Sequence, residues 1–198
     1  MTTANSRSSE YDVEPMFLER WSPRAFTGEA MPHAELLKLF EAARWAPSAF
    51  NAQPWRFVYA HRDTDAWGPL FDLLIPYNQM WVKAASVLTF IVSDRKRRTP
   101  GHEPTPSRTA TFDTGAAWAY LALAAARNGW AAHGMAGFDL ARSYEVLGVD
   151  EAEYQVEAAI ALGRQADPSV LDEAFRAREV PSSRNAVASI AFEGKLGG

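Results

Sequence analysis

Residues 84–93 read Ala-Ala-Ser-Val-Leu-Thr-Phe-Ile-Val-Ser, apolar in near-continuous succession with no alternation of polar and apolar positions. A strand with one wet face alternates, so a run like this predicts a central strand buried on both faces. A second strand is expected over 55–60, rich in β-formers, and a third over 154–163. Helices are expected around them. Leu36, Leu39, Phe40 and Ala43 recur at helical spacing over 33–46, with Pro32 placed for the first helical position and Pro47 as a stop. The Ala-rich stretch 107–128 predicts a long helix, apolar on most sides and therefore central, that ends at Gly129. Asp139 suits the cap of a short helix ending at Gly148. Asp167-Pro168 suits the start of another over 169–178. The class is α+β, with a modest sheet and several helices.

The chain has 198 residues, enough for one domain with a real core. Residues 1–10 are polar and are expected to be a frayed tail. The folded domain is expected over 11–180, and residues 181–198, carrying Val187, Ile190 and Phe192, as an extended arm. There is no cysteine, which excludes disulfides, thiolate metal sites and a thiol nucleophile. Net charge is −4, without the basic excess of a nucleic-acid binder. No apolar run spans a bilayer and no signal peptide is visible, so a soluble cytoplasmic protein is expected.

Standard motifs are missing. There is no G-x-G-x-x-G after a strand, no phosphate-binding P-loop and no G-x-S-x-G elbow. His33, His61, His102 and His133 lack metal-like spacing. Arg95-Lys96-Arg97-Arg98 is expected as a solvated turn after a strand, in a structureless connector reaching Ser107.

Three polar clusters remain. In Arg20-Trp21-Ser22-Pro23-Arg24, an extended backbone places positions 20, 22 and 24 on one side. Two guanidinium groups and a hydroxyl suit phosphate or carbonyl oxygens, although a surface ion-pair cluster reads equally well. The segment 46–55 brackets Ser48, Asn51 and Gln53 between prolines. Pro181-Ser182-Ser183-Arg184 adds a late cation.

Taken in order, Arg20-x-Ser-x-Arg24, Pro47-Ser48…Asn51-x-Gln53-Pro54-Trp55, Tyr77-Asn78-Gln79, Asp113 before Gly115, Gly137-Phe138-Asp139 and Ser183-Arg184 resemble the FMN-dependent nitroreductase family over roughly residues 16–184. That resemblance implies a three-layer α/β/α sandwich with a central mixed, mostly antiparallel sheet, in a domain-swapped homodimer with FMN at the interface. It implies an FMN-binding domain over 11–180 and an arm over 181–198 packed on the partner subunit.

Cofactor contacts carried over by the resemblance are Arg20, Trp21, Ser22, Arg24, Asp113, Ser183 and Arg184. Arg20 and Arg184 match phosphate positions, and Ser22 and Arg24 match positions near the ribityl and pyrimidine ends. Asn78 matches an amide pairing with the pyrimidine edge. Pro47, Ser48 and Ala49 match a loop supplied across the interface, braced by Asn51 and Gln53. Met135, Ala136 and Gly137 match the segment over the ring.

The implied activity is hydride transfer from NAD(P)H to FMN, then reduction of a nitroaromatic, quinone or related acceptor. The cofactor carries that chemistry, so no catalytic side chain is implied. Other flavin chemistry (flavin reduction, dehalogenation, azoline oxidation) and a non-catalytic flavin-binding role share the scaffold. Neither nucleic acid nor membrane is implied as a partner. Trp81, Ser182 and Ala136 depart from the family pattern: lysines are common at the first two positions and a glutamate at the third. Less positive charge near the flavin lowers its expected reduction potential. Phe50, Trp81, Phe112, Trp118 and Trp130 are candidates for the cleft wall or the core.

Overall fold

The computed structural model describes residues 5–196. In chain order the elements are α1 (Met16–Glu19), α2 (His33–Arg44), β1 (Trp55–His61), α3 (Trp67–Phe71), α4 (Pro76–Val82), β2 (Val87–Asp94), β3 (Lys96–Arg97), β4 (Thr105–Pro106), α5 (Ala110–Arg127), β5 (Ala131–Met135), α6 (Leu140–Leu147), β6 (Tyr154–Gly163) and α7 (Glu173–Arg176).

The main sheet has the order β1-β2-β6-β5, and every pairing in it is antiparallel. Strand β2 is buried along its whole length, and the reason is visible in its two faces. Val87 and Ile91 join Leu36 and Leu39 of α2 and Ala117 and Leu121 of α5 in one core cluster. Leu88, Phe90 and Val92 join Leu70 of α3, Trp81 and Val82 of α4 and Leu147 of α6 in the other. The result is helix on sheet on helix. Each large apolar side chain of β2 contributes about 1.5–3 kcal/mol by burial, so a polar residue at these positions would undo one layer.

Local signals set the helix ends. Gly129 takes φ +74° just after α5, a left-handed conformation that costs glycine nothing. Asp139 accepts a hydrogen bond from Arg142 N–H at 3.0 Å and starts α6.

Four expectations change. The helix expected over 169–178 is broken. A short 3₁₀ turn over Pro168–Val170 is capped by Asp167, Leu171 is extended, and α7 follows. Helix α5 is not covered on most sides: Asp113, Ala117, Leu121 and Ala125 are buried, but Phe112 is 81% exposed and Tyr120 is also open. A long Ala-rich pattern shows that a helix can be buried all round, not that this chain covers every face. The basic connector contains the β3–β4 hairpin, where Lys96 and Arg98 both pair with Glu153 and Arg98 also pairs with Asp94. Finally, residues 5–10 of the expected tail make defined contacts. Asn5 and Arg7 donate to the Leu18 carbonyl, and Glu10 accepts from Val187 N–H. Among the described residues no helix is long and apolar enough to cross a membrane.

Candidate functional site

The segment 20–27 lies along the end of the sheet. Thr27 N–H donates to the Arg164 carbonyl at 3.0 Å, and Ala166 N–H donates to the Ala25 carbonyl at 2.9 Å. From the opposite side the ring Nδ1 of His133, on β5, sits 3.0 Å from the Pro23 carbonyl. The buried Glu179 carboxylate accepts the N–H groups of Arg24 and Ala25. Three distant parts of the chain thus clamp one extended strip.

That strip forms one edge of an open groove of about 650 Å³. Arg20, Ser22, Met135, Ala136, Trp118 and Phe17 are among its walls. Arg20 Nη1 lies 3.3 Å from Ser22 Oγ, so these two side chains share a face as an extended backbone requires. Trp21 turns to a separate cavity with Trp130. Arg24 lies apart from the groove, in a small recess with Phe26, Trp81 and Phe175, 3.8 Å from Glu179. A buried carboxylate captures it there, which alternation alone does not show.

Across the groove, Met135 ends β5 and Ala136 is exposed. The next carbonyl, of Gly137, accepts from Asn78 Nδ2 at 2.9 Å and from Ile75 N–H at 3.1 Å. The Asn78 amide therefore spends donor capacity inside the chain. A Cβ on Gly137 would sit 2.6 Å from Asn78 Nδ2 and 2.8 Å from Ile75 Cδ1, so a side chain there would push both of these ends aside.

The loop between α2 and β1 is a self-braced turn. Asn51 N–H donates to the Ser48 carbonyl, and Gln53 N–H to Ser48 Oγ, both at 3.0 Å. Ala49 N–H donates to Asp113 at 3.1 Å, and Thr109 Oγ1 donates to the same oxygen at 3.0 Å. Phe50, Asn51 and Gln53 all have positive φ. Such a backbone costs a non-glycine residue about 1 kcal/mol or more, and the Asp113 anchor holds it. Phe50 is 85% exposed, with the Arg97 guanidinium 4.5 Å from its ring. Pro47, Ser48, Ala49 and Asn51 do not line the groove of their own chain.

Arg184 and Ser183 line a second cavity of about 500 Å³, which has Phe17 in common with the groove. Arg7 stands in it as well. Burial, and then the nearby Arg7 and Arg184 charges, lower the pKa of Arg20. Among the described residues none of these three cations forms an ion pair. Sequence reasoning missed Arg7, Glu179 and His133. The first lay in a presumed tail, and the other two are isolated acid and imidazole groups with no motif around them.

Of the aromatic candidates, Trp118 lines the groove, and Trp81 and Trp130 are core residues. Trp81 packs 4.6 Å from the His133 ring. Among the described residues no three metal-ligating side chains cluster. An open groove with Arg20 on its wall and Arg184 and Arg7 in the neighbouring cavity, none ion-paired among the described residues, suits a ligand that bears a strong anion.

Comparison with known proteins agrees with that geometry. A family model described as the nitroreductase family matches residues 18–74 and 72–164. A solved structure described as an oxidoreductase containing FMN is 48% identical, with a TM-score of 0.94 over 100% of both chains. Another, named as a nitroreductase in complex with FMN from Desulfovibrio desulfuricans, is 25% identical with a TM-score of 0.71, covering 93% of this chain and 99% of that one. A Rhodopseudomonas palustris (strain TIE-1) protein carrying the name NADH dehydrogenase/NAD(P)H nitroreductase is 28% identical over 142 residues, 64% of this chain and 72% of its own.

Proposed function

The chain belongs to the nitroreductase family, and on that premise we propose that it is an FMN-dependent oxidoreductase using NAD(P)H to reduce a small acceptor of the nitroaromatic or quinone type. The observation that carries this reading is the convergence of Arg20, Ser22, Met135 and Ala136 on one groove, with Arg184 and Arg7, which form no ion pair among the described residues, close to Arg20. The donor set fits FMN: cations for a phosphate, a hydroxyl for the ribityl chain, and main-chain amides at 135–137 for the ring. When bound, FMN supplies hydride uptake at its N5 and onward electron transfer.

The chain's own residues then bind and orient. Arg20 and Arg184 hold the phosphate, Ser22 the ribityl chain, and Met135 to Gly137 flank the ring edge. Asn78, bonded to the Gly137 carbonyl, sets the position of that segment. Arg24, which the resemblance places at the pyrimidine end, is held by Glu179 in a recess apart from the groove and is given no ring contact in this reading. In this reading the protein is a homodimer, and the loop carrying Pro47, Ser48, Ala49 and Asn51 serves the partner's groove, anchored by Asp113. The open faces of Phe50 and Phe112, and the exposed Ile190 and Phe192 of the 181–198 arm, are the apolar surface such a dimer would cover.

The purified protein tests this directly. It is expected to be yellow, and to bleach when NADH or NADPH is added without oxygen. A colourless protein that cannot be reconstituted with FMN would overturn the reading. Arg20→Ala is expected to weaken FMN retention in a titration.

A further inference from the structure

We propose that Arg7, in the N-terminal segment, is a third cation of the phosphate cradle and makes this chain discriminate a flavin bearing a terminal phosphomonoester from the same flavin without one. The inference rests on the FMN reading above and extends it to a residue outside the matched motifs.

Arg7 is held in place from both chain ends. Its Nε donates to the Ser182 carbonyl at 2.8 Å, and its Nη1 donates to the carbonyls of Leu18 and Arg20 at 3.1 and 2.7 Å. The other terminal nitrogen, Nη2, makes no hydrogen bond among the described residues. Arg184 Nη1 donates to the same Ser182 carbonyl at 3.3 Å. Two guanidinium groups therefore meet at one oxygen, and both line the cavity that adjoins the Arg20–Ser22 groove.

Among the described residues neither arginine has an acidic partner. Glu10 lines that cavity, but its carboxylate accepts the N–H of Val187 and forms no ion pair with either arginine. Burial and mutual repulsion lower the pKa of Arg7, with Arg184 as the charge responsible. Three like charges in neighbouring cavities favour a ligand that carries more than one negative charge. A phosphomonoester carries nearly two at neutral pH, and fork-shaped guanidinium donors suit its oxygens. Riboflavin offers no such charge.

The test is a titration of the flavin-free protein with FMN and with riboflavin, followed by quenching of flavin fluorescence at several salt concentrations. Arg7→Ala is expected to weaken FMN binding about tenfold or more, leave riboflavin affinity unchanged and flatten the salt dependence for FMN. Arg7→Gln removes the charge but keeps an amide with two N–H donors on a shorter side chain, so it should give the same split even if the alanine variant does not fold. Equal losses for both flavins would make Arg7 a structural strap and overturn the proposal, as would no loss for either. A wild-type protein that binds neither flavin would instead overturn the FMN reading on which the proposal stands.

Discussion

The carboxylate of Glu179 accepts the backbone N–H of Arg24 at 2.6 Å and that of Ala25 at 2.8 Å, across 155 and 154 residues of sequence. The side chain is fully buried. It fixes the strip bearing Arg20 and Ser22 against the stretch that leads into Ser183 and Arg184. One acid thereby sets the spacing of two cation-bearing segments.

Removing it is expected to cost both stability and ligand affinity. Glu179→Ala leaves two buried N–H donors and the Arg24 charge without their acceptor, and should destabilise by about 3 kcal/mol. Glu179→Gln keeps one acceptor oxygen and should lose less. Urea midpoints for the two variants measure this; equal values would contradict the role given to the carboxylate.

Asp113 anchors the strained loop at Ala49. Asp113→Ala is expected to cost about 1–2 kcal/mol and to open the 48–53 turn to protease. Asp113→Asn retains an acceptor and should stay resistant. Limited proteolysis followed by mass spectrometry reads the cleavage site directly.

His133 imposes a pH dependence. Burial, assisted by the Arg24 and Arg20 charges and opposed by the hydrogen bond to Pro23, pushes it down to about 4 from 6.5. The folded value is depressed, so between those limits the unfolded chain binds more protons. The stability from neutral His133 is complete above 6.5 and is lost as pH falls toward 4. Relative to His133→Asn, the wild type should lose about 2–3 kcal/mol between pH 7 and 4. Parallel pH profiles of the two proteins would show that the imidazole titrates freely in the fold.

Phe112 is open on the outer face of α5. If that face packs on a second copy, Phe112→Glu places a charge in an apolar contact and should yield monomers with weakened FMN binding. Light scattering gives the mass. An intact dimer with this variant would locate the interface elsewhere.

The separate strands, the long α5 and the capped α6 were legible from residues alone, because their signals act over a few positions; the antiparallel pairing of the strands was not. The unbroken apolar run of β2 needs two covering layers wherever it sits. Asp139 and Gly148 bracket α6 by hydrogen bonds and backbone conformations that reach no farther than one helical turn. The ordered motifs brought in Arg20, Ser22, Met135 and Ala136 of the candidate groove, whereas Phe17, Leu123 and Ala158 of its walls belong to none of them.

Tertiary structure alone decided which cations meet. Arg7 looked like part of a loose tail, and only the carbonyls of Leu18, Arg20 and Ser182 give it a place. Arg24 looked like a partner of Arg20 until Glu179 drew it to a separate recess. Local conformation is governed by the torsions and hydrogen bonds of neighbouring residues, which a chain carries with it unfolded or folded. Charge convergence depends on distances that exist only after the core has closed, and no pattern in the linear order records them.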